Sequence, residues 1–428
     1  METARSAALK VLQSCHKRGE WANEGLRKVL KGMDAREAAL ATRLVYGVEQ
    51  NRLLLDYYLG NLSSLPLEKV NEGVLDILRL GGYQILFMEQ IPVRAAVDEA
   101  VKLTKRWSKN PKTAGFVNAI LRNLDRQRDT LPALPKEITV RLSIQYSHPA
   151  WLVEEFTRQL GGDMAQVEAL LAVNNTPTPL TAQVNTCKTD LNELAETLQQ
   201  AGVSVRTHLW QEDCLCLENT GNLEELEAFQ QGLFYIQDPA ARAAVLAATP
   251  KAGERVLDLC AAPGGKSFAA AVAMGNAGEI LSRDIYPWKV KEIEKGAARL
   301  GLSSIRAAVG DATGAVEGKF DLVIADVPCS GLGIIGKKPD IRYKDPAEFQ
   351  TLGSIQETIL ENAGEAVRPG GRLLYATCTL RREENEGRVA AFLSRHGAFS
   401  LQREETLWPH KTGTDGFYYA VLVREVTG

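Results

Sequence analysis

Apolar residues recur at three- and four-residue spacing through residues 4–126. This period is typical of amphipathic helices, whereas a half-buried strand would alternate strictly. Asp34, Pro66 and Pro92 stand at positions that suit helix starts. We therefore predict an all-helical domain of six or seven helices, bounded at residues 1–130.

The pattern changes twice in the middle of the chain. Residues 129–150 hold three prolines in a polar setting and are predicted to form a connector, and an amphipathic helix follows. Residues 180–238 then read in the order strand, helix, strand, strand, helix, strand. This order is typical of a small ferredoxin-like α+β unit, a fold that often offers a sheet face to RNA. We bound the connector and this RNA-binding unit at residues 131–237.

From Asp238 onward, apolar runs and helical patterns alternate regularly. Asp238-Pro239 provides an N-cap and an N1 proline for the first helix. Nearly continuous apolar runs are typical of parallel strands that are covered on both faces. Over residues 238–428 we predict a Rossmann-like domain with a mostly parallel sheet. The whole chain is therefore expected to be a multidomain α and α/β protein.

Composition narrows the class of protein. The 428 residues are 45% hydrophobic and 24% charged, and without a bilayer-length apolar run or a signal core we expect a cytoplasmic protein. Seven irregularly spaced cysteines indicate reduced thiols, and Cys214-x-Cys216 with His208 lacks zinc-ligand spacing, so no metal is expected. Residues 1–130 carry 21 Lys and Arg against 15 Asp and Glu, although the net charge is −3. A basic first third is compatible with nucleic-acid binding.

The ends of four successive predicted strands carry glycine or carboxylate. The first strand is followed by a turn made of Cys260, Ala261, Ala262, Pro263, Gly264, Gly265 and Lys266. Its two glycines allow close backbone approach to a ligand, and without G-x-G-x-x-G a nicotinamide cofactor is disfavoured. The next three strands end in Asp284, at Asp311 and in Asp326. Asp284 suits the two ribose hydroxyls of a nucleoside cofactor, Asp311 suits an adenine edge, and Asp326 lies near where a substrate base must meet the methyl donor. Any single Asp could be a helix cap, but the ordered set predicts an S-adenosyl-L-methionine pocket.

Two cysteines follow buried strands of the same domain. Cys329 in DVPCSG comes after residues 320–326, and Cys378 in YATCT comes after residues 372–377. A buried cysteine is commonly a small hydrophobe. If these two strands are neighbours, however, their ends lie about 5 Å apart and both thiols face one crevice.

This arrangement suits covalent chemistry on a pyrimidine base. Carbon 5 of cytosine is too electron-poor to accept a methyl group directly, but a thiolate added to carbon 6 makes it nucleophilic. From the residues alone, either Cys378 or Cys329 could be that nucleophile. Asp326 would support ring nitrogen 3, and the cation of Lys266 would activate the thiol.

The motifs CAAPGGK, DVPCSG and ATCT resemble those of RNA 5-methylcytosine methyltransferases of the NOL/NSUN/Fmu type. The resemblance implies that Cys378 attacks carbon 6 and that Cys329 assists release. It also implies S-adenosyl-L-methionine as the cofactor, bound by the turn residues from Cys260 to Lys266 and by Asp284, Asp311 and Asp326. Cytosine-5 DNA methyltransferases instead use the P-C cysteine as the nucleophile. Cys329 alone would therefore not distinguish a DNA substrate from an RNA substrate. Val327 stands where the family more usually has Ala.

The resemblance extends over nearly the whole chain. LRLGGYQILF, IPVRAAVDEAVKL and GFVNAILRN resemble an N-terminal domain related to the antitermination factor NusB, and QDPAA and TDGFYYA also recur in the family. Fusion of the two domains is similar to bacterial enzymes that modify small-subunit ribosomal RNA. It implies a 16S rRNA (cytosine-C5)-methyltransferase with ribosomal RNA as partner, acting as a monomer without membrane or metal.

Other functions are weighed against this one. An RNA-binding or ribosome-assembly protein with a decayed catalytic domain would not need both cysteines, Asp326 and the Gly-Gly turn. A transfer RNA methyltransferase is disfavoured only by the NusB resemblance. Methylation of protein would leave the paired cysteines unexplained.

Two basic clusters are candidate RNA contacts. One surrounds Trp107 and consists of Lys102, Lys105, Arg106, Lys109 and Lys112. A solvated helix face explains it equally well. The other follows Cys329 and consists of Lys337, Lys338 and Arg342, which we expect at the mouth of the crevice, where substrate phosphates pass.

Overall fold

A computed structural model describes residues 2–426 of the chain, which form two compact units. The helical unit contains the chain up to Thr176 together with Ile335–Lys344. The α/β unit contains Pro177–Ile334 and the chain from Asp345 onward. Within residues 2–426, no helix is long and apolar enough to cross a membrane. The domain boundaries near residues 130 and 237 stay predictions.

The predicted all-helical domain is confirmed. Its helices are α1 (Ala4–Arg18), α2 (Ala22–Val29), α3 (Ala35–Leu62), α4 (Glu72–Phe87), α5 (Val93–Trp107) and α6 (Pro111–Arg126). Asp34 caps α3 by accepting the N–H of Arg36 at 3.0 Å, and Pro92 directly precedes α5. Pro66 instead begins a short 3₁₀ turn, and α4 starts later, after the N-cap Asn71. Buried apolar side chains of these helices form one continuous core.

Three further helices belong to the helical unit: α7 (Ile138–Tyr146), α8 (Ala150–Gln159) and α9 (Met164–Val173). The predicted connector over residues 129–150 is wrong where α7 lies, because its prolines flank the helix rather than interrupt it. Glu137 caps α7 by accepting the N–H of Thr139 at 2.9 Å. The helix after the connector is confirmed as α8, whereas α9 was not predicted. Of the ten residues of α9 only Gln166 and Glu168 are polar, so the sequence shows no contrast between an apolar and a polar helix face.

The core of the helical unit contains a buried ionic cluster. His16 Nδ1 lies 2.8 Å from Asp76 Oδ1, and His16 Nε2 lies 2.9 Å from Glu49 Oε1. Burial disfavours the protonated imidazole, but the hydrogen bonds and charges of the two carboxylates outweigh it and raise the pKa of His16 above its ordinary value. Arg79 donates 2.7 Å hydrogen bonds to Asp56 and a 3.0 Å bond to Asp76, so the cluster pairs its charges.

A small antiparallel sheet opens the α/β unit. Its elements are β1 (Leu180–Val184), α10 (Leu191–Gln200), β2 (Ser204–Thr207), β3 (Cys214–Glu218), α11 (Glu227–Gln230) and β4 (Phe234–Ile236). The strand order is β2-β3-β1-β4, which confirms the predicted ferredoxin-like unit. Asn185 donates 2.9 Å hydrogen bonds to the carbonyls of Gly232 and Leu300 and so ties this sheet to the rest of the unit.

The remaining elements build a seven-stranded sheet. They are α12 (Pro239–Ala247), β5 (Arg255–Asp258), α13 (Gly265–Ala273), β6 (Glu279–Asp284), α14 (Pro287–Leu300), β7 (Ile305–Val309), β8 (Phe320–Asp326), α15 (Glu348–Ala366), β9 (Val367–Thr377), α16 (Glu386–Arg395), β10 (Phe399–Leu407), α17 (Pro409–Thr412) and β11 (Phe417–Arg424). The order is β10-β11-β9-β8-β5-β6-β7, with β5 to β9 parallel and the last two strands antiparallel. Chain order reverses between β5 and β8, where such sheets bind ligands.

The edge strand β10 was not predicted. Its side chains are mostly exposed and polar, so it lacks the apolar run that marks the central strands. Charged residues on an edge strand discourage pairing with other chains. The Rossmann-like domain itself is confirmed.

Candidate active site

The glycine turn lies between the carboxyl end of β5 and the start of α13. Gly264 has φ +113°, and a Cβ there would lie 2.3 Å from the ring of Phe268. Its N–H donates to the Ala261 carbonyl at 2.7 Å, and the Ala261 N–H donates to the Arg283 carbonyl at 2.8 Å. The Phe268 ring thus occupies the position of a Gly264 side chain, so only glycine fits this turn at the switch point.

Carboxylates lie at the ends of the strands beside this turn. Asp284 is buried at the end of β6, and its Oδ1 accepts the N–H of Tyr286 at 3.1 Å. Asp311 is exposed just after β7, where hydrogen bonds from the N–H and hydroxyl of Thr313 lower its pKa. Asp311 thus caps the turn that follows it, which is the role expected of an Asp that does not bind a ligand. Its carboxylate nevertheless stays accessible to solvent.

Asp258, the last residue of β5, is a site feature that the sequence reasoning missed. Its side chain is fully buried below the turn, and its Oδ2 accepts the hydroxyl of Ser267 at 2.7 Å. Ser267 Oγ also lies 2.7 Å from Ser282 Oγ. Burial raises the pKa of Asp258 to about 7, against the hydrogen bond from Ser267 and the charge of Lys266. In the sequence, only the position of Asp258 at the end of a short apolar run could have indicated this role.

Lys266 and Asp326 form an ion pair between the start of α13 and the end of β8. Their side chains are 11% and 27% exposed. Burial disfavours the ammonium, but the charge and hydrogen bond of Asp326 raise the pKa of Lys266. The Lys266 Nζ also lies 5.1 Å from the centre of the Phe417 ring. The structure thus brings together two residues that the sequence separates by 60 positions.

The two cysteines lie at the ends of neighbouring strands. β8 and β9 pair in parallel with Asp326 opposite Ala376, so Cys329 and Cys378 leave the sheet side by side. Their Sγ atoms are 3.3 Å apart, and both residues are half-buried. The hydrogen bond with Cys378, then burial, raises the pKa of Cys329 well above its ordinary value. Burial and the neighbouring Cys378 sulfur thus disfavour the thiolate form of Cys329.

A hydrogen-bond network joins the two cysteine loops, and sequence reasoning missed it. The carboxylate of Glu384 accepts the N–H of Ser330 and the side-chain amide of Gln356, both at 2.9 Å. Ser330 Oγ lies 2.7 Å from the hydroxyl of Thr379. Each cysteine thus has a neighbour in one shared network, which fixes the loops relative to each other.

The basic candidates fall in different environments. The five cations around Trp107 are exposed at the end of α5 and the start of α6, where their RNA role stays a prediction. Lys337 is exposed and Lys338 is half-buried. The expectation that Arg342 lies open at the crevice mouth is wrong, because its side chain is fully buried in the helical unit. Over residues 2–426, no cluster of three or more His, Cys, Asp or Glu side chains could hold a metal ion.

Three family models match this chain, one each in its N-terminal helical part, its ferredoxin-like unit and its Rossmann-like domain. Family models described as NusB family, as the ferredoxin-like domain of RsmF/B-like methyltransferases and as 16S rRNA methyltransferase RsmB/F match residues 2–126, 148–224 and 245–423. A Bacillus subtilis (strain 168) protein named "Probable ribosomal RNA small subunit methyltransferase B" is 37% identical over 97% of both chains.

Solved structures give the same fold. The crystal structure of PH0851 is 26% identical and superposes with a TM-score of 0.79 over 97% of this chain and 98% of that one. NSun6 from Pyrococcus horikoshii, solved with SFG, is 21% identical with a TM-score of 0.59 over 65% of this chain and 99% of its own. At that identity, the second likeness shows the fold alone.

Proposed function

Since the chain belongs to the RsmB/F family of 16S rRNA methyltransferases, we propose that it methylates carbon 5 of a cytosine in small-subunit ribosomal RNA, with S-adenosyl-L-methionine as methyl donor. One observation carries the proposal: the Sγ atoms of Cys329 and Cys378 lie 3.3 Å apart at the carboxyl ends of β8 and β9. A methyltransferase acting on an already nucleophilic atom needs no cysteine pair there. Covalent activation of a pyrimidine does.

The residues at the switch point fit the cofactor. The glycine turn follows β5 at the switch point, and the carboxylate of Asp284, at the end of the neighbouring strand β6, suits a ribose diol. A protein of the same fold, NSun6 from Pyrococcus horikoshii, was solved with SFG, an analogue of S-adenosyl-L-methionine. When bound here, S-adenosyl-L-methionine supplies an electrophilic methyl group.

We assign the attack to Cys378 and the release to Cys329. The Cys378 thiolate forms a bond to carbon 6, the displaced electron pair reaches nitrogen 3, which takes a proton from solvent, and carbon 5 becomes nucleophilic. The Asp326 carboxylate, its charge compensated by Lys266, accepts a hydrogen bond from the N–H formed at nitrogen 3. After methylation the carbon-5 proton leaves to a solvent base and the bond between carbon 6 and sulfur breaks. Cys329, whose sulfur lies 3.3 Å from that of Cys378, protonates the departing sulfur.

The proposal includes the setting of the reaction. The target cytosine must be unpaired or turned out of its stack to reach Cys378. Because ribosomal RNA is the proposed substrate, the proposed location of the enzyme is the cytoplasm. The exposed cations around Trp107 supply a surface for its phosphates.

The decisive experiment is methyl transfer from labelled S-adenosyl-L-methionine to unmodified small-subunit ribosomal RNA, followed by nucleoside analysis. We expect label in 5-methylcytidine. Label in transfer RNA alone would keep the chemistry and overturn the substrate. No label in either RNA, with cofactor binding shown separately, would favour a decayed enzyme that acts as an RNA-binding protein.

Three cysteine variants test the roles. Cys378→Ala should abolish transfer and leave cofactor binding unchanged, so surviving turnover would place the nucleophile elsewhere. Cys329→Ala should accumulate a protein–RNA adduct that persists on denaturing gels, because release is impaired. Cys187→Ala is the matched control, since Cys187 is exposed and lies outside the site. Equal adduct in the Cys187 and Cys329 variants would contradict the release role.

A further inference from the structure

Two buried polar side chains stand next to each other in the turn that precedes α16. They belong to Glu384 and Asn385, and both are almost fully covered, although carboxylates and side-chain amides mostly face water. The Tyr375 hydroxyl of β9 donates to the Glu384 carbonyl at 2.7 Å and holds this turn against the sheet. A buried polar side chain is stable where its hydrogen bonds are made within the protein, so the partners of this pair indicate its role.

Glu384 is bonded to the loop that carries Cys329. Its carboxylate accepts the N–H of Ser330 at 2.9 Å. Gln356 of α15 donates to the same carboxylate at 2.9 Å and to the Pro328 carbonyl at 3.0 Å, and its side chain is fully buried. Both peptide bonds of Cys329 are therefore held by one pair of side chains, Glu384 on one side and Gln356 on the other.

Asn385 is bonded in the same way to the loop that carries Cys378. Its Oδ1 accepts the hydroxyl of Thr377 at 2.5 Å, and its Nδ2 donates to the Thr379 carbonyl at 3.0 Å. These two threonines precede and follow Cys378, and both are fully buried. A side-chain amide suits this place because it offers an acceptor and a donor in the same plane. A single residue thus fixes both neighbours of the cysteine.

We propose that Glu384 and Asn385 are positioning residues that together set the spacing of the two reactive sulfurs. Glu384, with Gln356, places Cys329, and Asn385 places Cys378. Because the two side chains leave consecutive residues of one turn, a single short stretch of backbone fixes the distance between the two loops. All of these residues belong to the α/β unit. The kinetic consequences rest on the proposed function, whereas the geometric claim does not.

The geometric claim is tested by hydrogen exchange of backbone amides in the intact chain without RNA. Gln356→Met nearly keeps the length of the side chain but removes the donor to Pro328 and Glu384. We expect exchange at the Ser330 amide to become about tenfold faster, because its acceptor is no longer held in place. Unchanged exchange at Ser330 would overturn the inference.

A matched control lies on the same helix. Asn362 of α15 also donates its side-chain amide to two main-chain carbonyls, those of Ala312 at 2.9 Å and Gly314 at 3.1 Å, in a loop that carries neither cysteine. Asn362→Leu should therefore leave the exchange at Ser330 unchanged. Equal acceleration in the Gln356 and Asn362 variants would contradict the positioning role, because general loss of stability would then set the exchange.

With RNA present, the two halves of the pair should have opposite effects on the covalent adduct. Gln356→Met displaces only the group assigned to release, so adduct should accumulate. Asn385→Asp removes the donor to Thr379 and displaces the nucleophile. Adduct should then form at least about tenfold more slowly, since a misplacement of about 1 Å can cost about a hundredfold in rate. The KM for S-adenosyl-L-methionine should be unchanged in both, and a fall of adduct in both would contradict the inference.

Thr377→Val serves if Asn385→Asp fails to fold, because it removes only the hydroxyl that donates to Asn385. It should also slow adduct formation, and wild-type rates in both variants would contradict the role of Asn385. If Cys329→Ala traps adduct and Gln356→Met does not, this inference fails and the proposed function stands. If Cys329→Ala traps none, the release role fails, while exchange at Ser330 still decides the geometric claim.

Discussion

Asp258 gives a prediction whose size can be worked out. It lies at the end of β5, fully buried, with one oxygen bonded to Ser267. Burial raises its pKa from 3.8 to about 7. Asp258→Asn replaces a titrating group by one of nearly equal shape that stays neutral at every pH. The variant therefore isolates the effect of ionising this one carboxyl.

The sign follows from the two pKa values. Below pH 3.8 both the folded and the unfolded chain hold the proton, and ionisation has no effect on stability. As the pH rises towards 7, the unfolded chain releases the proton and the folded chain keeps it, so the free energy of unfolding falls. Each pH unit is worth about 1.4 kcal/mol, which gives a full penalty of about 4 kcal/mol above pH 7. About half of it develops between about pH 5.5 and 8.5.

The assay is native-state hydrogen exchange of the β5 peptide, which reports the opening free energy of this sheet in the intact chain. On going from about pH 5.5 to 8.5, wild type should lose about 2 kcal/mol relative to Asp258→Asn. Asp321→Asn is the matched control, because burial is outweighed there by bonds from Arg255 and Arg368 that lower the Asp321 pKa. Its difference from wild type should be constant over this range. A constant difference for Asp258→Asn as well would refute a protonated Asp258.

Three further outcomes are expected. Glu384→Gln weakens a charge-assisted bond to the cysteine loop and should lower kcat about fivefold, with unchanged cofactor affinity by calorimetry. Gly264→Ala sets a Cβ against Phe268 and should weaken cofactor binding at least about tenfold, whereas Gly275→Ala, with open space around its Cβ, should not. His16→Gln should destabilise the helical unit more at pH 6 than at pH 9 in denaturation, because the raised pKa of His16 gives stability that is present below pH 6.5 and lost as the pH rises through the folded value. An equal loss at both pH values would mean that His16 is neutral in the fold.

The sequence predicted the large sheet well because its strands are long apolar runs that end in recognisable residues. FDLVIAD, residues 320–326, was predicted as a strand and is β8 with the same bounds. RLLYAT lies within β9, its parallel neighbour. Burial on both faces removes polar residues from such strands, so period and length suffice. Elements without that burial, such as the exposed edge strand β10, carry no comparable signal.

The partners of the site residues were less predictable than the residues themselves. Cysteine and glycine at strand ends are visible in the sequence, but Glu384 meets Ser330 across 54 positions through a carboxylate that resembles any surface acid. The side chain is only 3% exposed because the fold packs it against Ser330 and against Gln356 of α15. Local sequence contains no information on that packing, because Glu in a polar stretch is usually solvated.

Arg342 is the clearest case in which the sequence predicts a functional residue but not its surroundings. A cation in a polar loop next to a reactive cysteine is expected to meet substrate phosphate, since buried arginines normally need a carboxylate. Here three carbonyl-type oxygens within 3.2 Å replace the carboxylate. Two of these are main-chain oxygens at the end of α7, so no side chain in the sequence announces them. The cation that the sequence predicts to meet RNA phosphates is therefore bonded inside the helical unit. Arg342→Met should lower the free energy of unfolding of that unit in denaturation, whereas a residue that only contacts RNA would leave this free energy unchanged.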